Sequence, residues 1–443
     1  MAQRGPAIAL DMDRYQWTVL FAAWLGWGFD VFDGLLFNFV APSCVPTLLG
    51  LPLGTPEARS ATLFWTGTLS AVLLIGWAVG GILFGRVADQ LGRTRTLLIT
   101  MALYSLGTAA CSLAPNIWVL LVFRIIASLG IGGEWAAGAA MVAEVVPENR
   151  RVEAGALLYT SAPLGLFLAT QVTWLVQGVV LPGDPGTSWR IVFLSGLIPA
   201  AVALAVRWFV EEPERWASTK EQAPPRLAEL FTGTMRARTL SGLAMAITAL
   251  VMWWSCNAFI PVVASGLAEV EAGVRGLDPA ATTALKQGWK ALATNVFNVG
   301  GLAGTLLTVP IAKHLGRRAM FGLYFVASAV SIAAAFGLDL PAEWRLWMYL
   351  PIGLSVFGVF GSFTYYLPEL FPTRLRGTGA GFCYNAGRVL AAAGPFLVGG
   401  VASRGADALT AAMSVLVWVA AVPVLGALLL PWVTETRDMA LED

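Results

Sequence analysis

Charged residues are scarce in this chain of 443 residues. Asp, Glu, Lys and Arg make up only 12% of it, whereas 57% of the residues are hydrophobic and the mean hydropathy is +0.71. Soluble globular proteins carry about 25% charged residues, so this composition excludes an ordinary soluble domain. Apolar runs of about 20 residues, the length that crosses a bilayer, fill most of the sequence. The chain is therefore predicted to be an all-α membrane protein in contact with the lipid bilayer.

Several marks of catalysis and metal binding are also missing. His314 is the only histidine and lies in a basic turn, so we predict no metal site. No nucleophile elbow and no phosphate-binding loop is present, which argues against an enzyme and against ATP-driven transport. No basic stripe alternates with aromatic residues, so nucleic acid is not an expected partner. We expect no cofactor, and no disulfide among the four cysteines, which lie in or beside apolar segments: Cys44, Cys111, Cys256 and Cys383.

Hydropathy predicts twelve transmembrane helices. Their ranges are about 17–41, 62–85, 96–114, 116–141, 153–179, 190–210, 239–266, 288–312, 319–338, 345–367, 378–401 and 408–433. They divide the chain into an N-terminal six-helix bundle (1–210), a linker (211–238) and a C-terminal six-helix bundle (239–443). Residues 267–287 are expected to form an outer loop with some helix. Lys and Arg concentrate in the loops on the linker side, which places both termini in the cytoplasm. We expect the membrane to be a bacterial-type inner membrane.

Two motifs occur twice with nearly the same offset. A basic turn after an apolar segment contains Gly92 and recurs at Gly316, 224 residues later (316 − 92). A Glu-x-x-Pro pattern that ends in arginine contains Pro147 and recurs at Pro372, 225 residues later (372 − 147). The chain is therefore predicted to consist of two homologous halves, and duplicated membrane proteins of this size are typically transporters.

The first copy of the basic turn, Gly85 to Arg95 with Asp89 and Arg93, resembles the loop 2–3 signature of the major facilitator superfamily. Within it, the chain resembles sugar-porter-like carriers that include proton-coupled organic-acid and sialate symporters. This narrower resemblance depends on Arg124 with the following Gly130–Trp135 run and on the motifs that end helices 4, 6 and 12. It implies two six-helix bundles that rock around a central site. The second basic turn has Lys313 where the first has Asp89, so the two copies cannot work identically.

Charges inside membrane helices are costly and are functional candidates by default. Asp30 and Asp33 share one face of helix 1, and such a carboxylate pair suits proton binding or substrate gating. The alternative is a polar bridge in which one aspartate pairs with a fixed arginine. Arg124 in helix 4 is a candidate partner of either aspartate or of the substrate. Glu134 lies on a glycine-rich surface and is equally consistent with a proton site or a structural role.

Arg388 in helix 11 indicates the charge of the substrate. No acid is evident in helices 7, 8 or 10, and a buried guanidinium suits a carboxylate. The alternatives are snorkelling or pairing with Asp33 across the halves. Related organic-anion carriers resemble this chain in having an arginine in helix 11. Further candidates for substrate contacts are Asn38, Asn257, Asn295, Asn298, Asn385 and Tyr365.

Residues at helix ends on the linker side are predicted to form an inside gate that sets the conformational equilibrium without touching substrate. They are Gly85, Asp89, Gly92, Arg93, Glu144, Arg151, Glu369 and Arg376. The sequence thus predicts a monomeric secondary transporter that moves a small organic anion with protons by alternating access. A sugar or polyol porter, or an efflux carrier of the same fold, remains the alternative.

Overall fold

The chain is described from a computed structural model. The structure describes residues 12–91, 93–147, 150–199, 201–202 and 226–437. We call the face of the molecule near Arg14 and Arg437 the terminus-side face, and the opposite face the far face. The described part of the predicted linker begins at Arg226 with a short 3₁₀ turn, Leu227–Phe231. The predicted boundaries of linker and bundles therefore stay predictions.

The described residues before the linker form the helices of the N-terminal half. They are α1 (Arg14–Leu49), α2 (Pro56–Leu91), α3 (Arg93–Ala110), α4 (Ile117–Val145), α5 (Arg151–Tyr159), α6 (Ser161–Thr173) and α7 (Pro185–Leu194). A π-helical segment, Trp174–Val180, continues α6.

The C-terminal half follows with shorter and more frequently interrupted helices. They are α8 (Gly233–Asn257), α9 (Ile260–Arg275), α10 (Pro279–Leu315), α11 (Arg317–Gly337), α12 (Ala342–Trp347), α13 (Tyr349–Ile352), α14 (Phe363–Glu369), α15 (Thr373–Ala391), α16 (Ala393–Ala402), α17 (Ala408–Trp418) and α18 (Ala421–Leu428). A π-helical segment (Gly353–Phe357) and a 3₁₀ segment (Gly358–Ser362) join α13 to α14.

These helices run from one face of the molecule to the other, and successive short helices combine into single passes. Among the described residues, nine helical stretches are long and apolar enough to cross a membrane. The remaining passes are α4, α7 and the pass formed by α15 and α16, which contains Arg388. The predicted fold class is confirmed: an all-α membrane protein of twelve transmembrane helices in two six-helix bundles.

The duplicated motifs lie at equivalent places in the two halves. α2 ends at Leu91 and α3 begins at Arg93, while α10 ends at Leu315 and α11 begins at Arg317. Gly316 adopts φ +91°, a conformation that L side chains rarely adopt, so the second turn requires glycine. The turn is fixed by Glu435, whose carboxylate accepts hydrogen bonds from the backbone N–H groups of Arg317 and Arg318, both at 2.9 Å.

The outer segment at 267–287, which was expected to be a loop with some helix, is mostly helical. α9 continues to Arg275 and stops at Gly276, which has φ +67°. α10 begins at Pro279, where the Asp278 side chain accepts a hydrogen bond from Ala281 N at 2.8 Å. An aspartate cap followed by proline is a strong helix start, and it outweighs the low hydropathy of the first turns.

Glycines allow helices of the two halves to touch along their backbones. A Cβ atom on Gly67 in α2 would overlap the Pro395 carbonyl of α16, and one on Gly399 would overlap the Leu63 carbonyl of α2. Small residues at such crossings are typical of membrane helices, since packing rather than water release drives their association. The crossing places α2 beside the α15–α16 pass, which positions the functional site described next.

Candidate functional site

The two aspartates of α1 lie at the centre of the molecule and are completely buried, with 0% exposure each. Neither oxygen of the Asp33 carboxylate accepts a hydrogen bond from any described residue. The carboxylate faces the start of the 3₁₀ turn after α7, since a Cβ atom on Gly196 would lie 3.2 Å from Asp33 Oδ1. A buried carboxyl that has no fixed donor is suited to change its protonation state.

Arg124 of α4 reaches α1 but contacts its backbone. Its Nη1 donates to the carbonyl oxygen of Asp33 at 3.1 Å, and its Nη2 donates to the carbonyl oxygen of Gly34. The Asp33 carboxylate interacts with this guanidinium only electrostatically. Arg124 is 1% exposed, and its two hydrogen bonds hold α4 against α1. The predicted approach of Arg124 to the aspartates is seen, but its hydrogen bonds go to main-chain carbonyls.

Arg388 of α15 lies between two aromatic rings and is only 3% exposed. Its guanidinium carbon is 4.3 Å from the centroid of Trp77 in α2 and 4.6 Å from that of Tyr384. Its Nη1 donates to Asn385 Oδ1 at 3.1 Å. It also interacts electrostatically with Asp30 of α1, across the two halves. We call Asp30, Asp33, Arg124 and Arg388 the central charge cluster.

Aromatic side chains surround this cluster and join the halves. Trp77 makes an edge contact with Trp254 at 5.8 Å, and Trp254 contacts Trp253 at 4.8 Å. Tyr159 from the N-terminal half stacks on Phe360 at a centroid distance of 6.2 Å. Trp77 and Tyr384 are site residues that sequence reasoning missed, because tryptophan and tyrosine in membrane helices usually face lipid headgroups or fill the core.

Three of the five predicted asparagines, Asn38, Asn257 and Asn298, are buried, whereas Asn295 and Asn385 are partly exposed. Asn38 Nδ2, Asn257 Nδ2 and both polar atoms of Asn298 are buried and have no hydrogen-bond partner among the described residues. Asn295 differs from them, because its Oδ1 accepts a hydrogen bond from Gln171 of the N-terminal half at 3.3 Å. Buried amides without partners are costly unless a ligand or water satisfies them.

Tyr365 lies apart from the central charge cluster. Its hydroxyl donates to the carbonyl oxygen of Thr308 at 3.4 Å, and its ring lies 5.5 Å from the guanidinium carbon of Arg317. Arg317 begins α11 at the terminus-side face. The structure therefore associates Tyr365 with the helix ends of the C-terminal half, and its predicted role in substrate binding stays untested.

One predicted gate residue can be followed in detail. Glu369 accepts hydrogen bonds from Arg317 Nη2 at 2.7 Å, from Arg317 Nε at 3.1 Å and from Thr436 Oγ1 at 2.5 Å. This network lies within the C-terminal half. The side chains of Gly85, Asp89, Gly92, Arg93, Glu134, Glu144, Arg151 and Arg376 lie outside the described part of the structure.

Ion pairs across the halves occur at both faces, and sequence reasoning found neither. At the terminus-side face, Lys313 Nζ is 3.6 Å from Glu153 Oε1. At the far face, Arg59 Nη2 of α2 is 3.0 Å from Glu269 Oε1 of α9. Glu269 Oε2 also accepts a hydrogen bond from Lys286 of α10 at 3.0 Å. The two halves are thus in contact at both faces of the molecule, on either side of the central charge cluster.

Lys290 of α10 is a further residue that sequence reasoning missed. It is 3% exposed, and its Nζ donates to the carbonyl oxygen of Phe39 in α1 at 2.7 Å. The eighth helix predicted from hydropathy begins at residue 288, which places Lys290 at an apparent helix edge. The Asp278–Pro279 start signal would have placed it three turns inside α10.

A duplicated bundle of membrane helices with buried charges where its halves meet defines a membrane transporter. The chain belongs to the Major Facilitator Superfamily, whose family profile matches residues 17–395. It is therefore a multi-pass membrane transport protein and not an enzyme.

Similar proteins carry transporter names with different substrates. The chain is 29% identical to a probable 4-methylmuconolactone transporter of Cupriavidus pinatubonensis, over 97% of this chain and 92% of that protein. It is 26% identical to the sialic acid transporter NanX of Escherichia coli, over 86% of each chain. The crystal structure of a D-xylose-proton symporter has the same fold, with a TM-score of 0.73 and 19% identity, and the match covers 96% of this chain and 99% of that one.

Proposed function

We propose that this transporter carries a small organic anion together with protons across a bacterial-type inner membrane by alternating access, with both termini in the cytoplasm. The observation that carries this proposal is Arg388, a buried guanidinium that belongs to one half and interacts electrostatically with an aspartate of the other. A carboxylate matches the two parallel N–H groups of a guanidinium. Named relatives that transport 4-methylmuconolactone and sialic acid support an acidic substrate.

The surroundings of Arg388 favour a planar acid. Trp77 and Tyr384 flank the guanidinium, and the edge of Trp254 closes the aromatic surface. Aromatic faces pack well against flat unsaturated or aromatic ligands, and each offset or edge-to-face aromatic pair contributes about 0.5–1.5 kcal/mol beyond burial. The buried amides of Asn38, Asn257 and Asn298 supply spare donors for further oxygens of the substrate.

Proton coupling follows from the competition for Arg388. When a carboxylate binds the guanidinium, Asp30 loses its cationic neighbour and takes up a proton. Neither anion then remains buried without a compensating charge, which would be costly. Binding of substrate and of proton therefore favour each other by the same coupling free energy, as linkage requires. Asp33, whose carboxylate accepts no hydrogen bond from the described residues, offers a second position for a proton on the same helix face.

Alternating access would use the ion pairs across the halves. Arg59–Glu269 closes the far face, which this proposal places outside the cell, and Lys313–Glu153 closes the cytoplasmic face. Both pairs are partly exposed to solvent, and surface ion pairs contribute only about 0–1 kcal/mol, so either can open without a large barrier. The predicted inside gate around Asp89 and Glu369 acts at the same cytoplasmic face in this proposal.

The test is uptake into proteoliposomes of sialate, benzoate and 4-methylmuconolactone, with xylose as the neutral comparison. The variant is Arg388→Lys, which keeps the charge and removes the planar fork. The control is Arg345→Lys, the same change at a buried arginine that donates to the carbonyl oxygens of Ala335 and Leu338. We expect uptake of one acid, stimulated by an acidic exterior, to fall at least tenfold in Arg388→Lys and to stay within about twofold in Arg345→Lys. Uptake of xylose alone, or acid uptake indifferent to Arg388, would refute the proposal.

A further inference from the structure

Lys290 is the described lysine that has no carboxylate partner. Lys286 pairs with Glu269 and Lys313 pairs with Glu153, but no acid among the described residues lies within 4.0 Å of Lys290 Nζ. Its hydrogen bond to the carbonyl oxygen of Phe39 uses one of three N–H donors. A buried ammonium with two donors that no described residue accepts is energetically costly, so we expect it to bind an anion at some stage of the cycle.

The helix face around Lys290 has the polarity of a ligand surface. Gln287, Thr294 and Asn298 lie three, four and eight positions from it, so all four residues share one face of α10. Gln287, Thr294 and Asn298 are buried, at 6%, 1% and 4% exposure. Gln287 Oε1, Thr294 Oγ1 and both polar atoms of Asn298 have no hydrogen-bond partner among the described residues. A row of unsatisfied groups beside a buried cation indicates a site that a polar ligand or water occupies.

The partner of Lys290 lies in the other half of the molecule. Phe39 belongs to α1, whereas Lys290 belongs to α10, so this hydrogen bond exists only while the two halves are together at that level. The far face above it is closed by Arg59–Glu269 and by a hydrogen bond from Ser60 to the carbonyl oxygen of Ser403. Opening of the far face separates α1 from α10 and releases the ammonium from its acceptor.

Lys290 and Arg388 lie at different depths along the transport direction. Phe39 follows Asp30 by nine residues on α1, which corresponds to about 13 Å along a helix. Arg388 interacts with Asp30, and Lys290 donates to Phe39. One small carboxylate group cannot bind both cations at once over that distance, so contact with the two must be sequential.

We propose that Lys290 is a second anion-binding residue, which binds the substrate carboxylate from the far-face opening and turns to the Phe39 carbonyl when that opening closes. This inference rests on the proposed function and adds an entry site to it. The substrate would pass from Lys290 to Arg388 as the halves rock. Lys290 would thus determine affinity for anions on the far-face side, and Arg388 would bind them at the centre.

The test is the kinetics of acid uptake by intact cells, where substrate enters from one side. The variant is Lys290→Met, an unbranched apolar replacement, and Lys290→Arg restores the charge. The control is Arg275→Met, which removes a far-face cation that is paired with Glu271 and Glu343 of the same half. For the acid that the wild type transports, we expect Lys290→Met to raise KM at least tenfold with Vmax within about threefold. Lys290→Arg should recover most of the affinity, and Arg275→Met should stay within about twofold.

The outcomes separate this inference from the proposed function. If acid uptake depends on Arg388 but Lys290→Met keeps the wild-type KM, the entry site is refuted and the proposed function stands. A fall in Vmax with an unchanged KM would assign Lys290 a purely structural role and also refute the inference. If the wild type takes up no acid, both proposals fail. Should Lys290→Met not reach the membrane, Lys290→Arg and Lys290→Gln decide, since a charge requirement predicts recovery only for arginine.

Discussion

Replacement of Asp30 by asparagine tests how the proton is coupled to the anion. Asparagine has nearly the same shape but stays neutral, so Asp30→Asn removes the carboxylate that interacts with Arg388 across the halves. Substrate then has no competitor for the guanidinium, and its binding no longer requires a proton at this position. We expect binding of the acid to persist or strengthen while its dependence on pH disappears.

The magnitude follows from the charge arithmetic of the site. If one proton is taken up with each anion, the apparent Kd changes tenfold per pH unit, or about 1.4 kcal/mol, above the range in which the group titrates. A gradient of two pH units then sustains roughly 100-fold accumulation of the acid in an electroneutral one-proton symport. In Asp30→Asn we expect accumulation close to unity and a Kd that varies less than about twofold per pH unit.

The assay combines accumulation driven by a pH gradient with exchange of labelled acid at equal pH, both in proteoliposomes. Exchange needs no net proton movement, so it should remain within a few-fold of the wild type in Asp30→Asn. Asp407→Asn is the control, since this aspartate caps α17 through Thr410 N at 3.0 Å, in a far-face loop. Accumulation above tenfold in Asp30→Asn would show that the proton is carried elsewhere and would refute the competition mechanism.

Two further changes address the far-face closure and the turn at Gly316. Glu269→Gln removes the ion pair with Arg59. In a Ser265→Cys variant whose native cysteines are replaced, the rate of thiol labelling at position 265 should rise by up to about fivefold, which corresponds to roughly 1 kcal/mol. The control Glu271→Gln, which loses a pair with Arg275 within the same half, should leave that rate unchanged, and equal labelling in both variants would contradict the closure. For Glu435, burial raises the pKa, but the backbone N–H groups of Arg318, Arg317, Arg437 and Thr436 outweigh it and hold the pKa below its usual value. A lowered pKa stabilises the fold above the ordinary glutamate value of about 4.3, and that stabilisation is lost as the pH falls through the folded pKa. Glu435→Gln should therefore lower Tm more at pH 7 than at pH 3.5, and an equal Tm difference at both pH values would contradict this.

The sequence carried enough to predict the fold, because its signals are local or repeated. The length of the apolar runs predicts membrane helices, and the recurrence of the Gly92 turn at Gly316 predicts two halves. Neither signal depends on how the helices pack. Asp278 and Pro279 also indicate the start of α10, whereas hydropathy alone begins this helix at residue 288. Hydropathy therefore places Lys290 at an apparent helix edge.

The candidate site could be predicted only as separate residues. Asp30 and Arg388 are 358 positions apart (388 − 30), and their interaction depends on the crossing of α1, α2 and α15 between the halves. The same holds for Arg59 with Glu269 and for Lys290 with Phe39. Arg124 was expected to meet a carboxylate, and instead its hydrogen bonds go to the Asp33 and Gly34 carbonyls, a choice that only the packed geometry determines.

The central claim is that an organic anion and a proton move together, and substrate-induced proton movement measures this directly. Weakly buffered proteoliposomes with an external pH indicator would receive sialate, benzoate or 4-methylmuconolactone in the absence of any imposed gradient. We predict that one acid makes the exterior alkaline at a rate that matches its uptake, and that Arg388→Lys abolishes both. Uptake of the acid without alkalinisation would show that protons are not coupled to transport and would contradict the account.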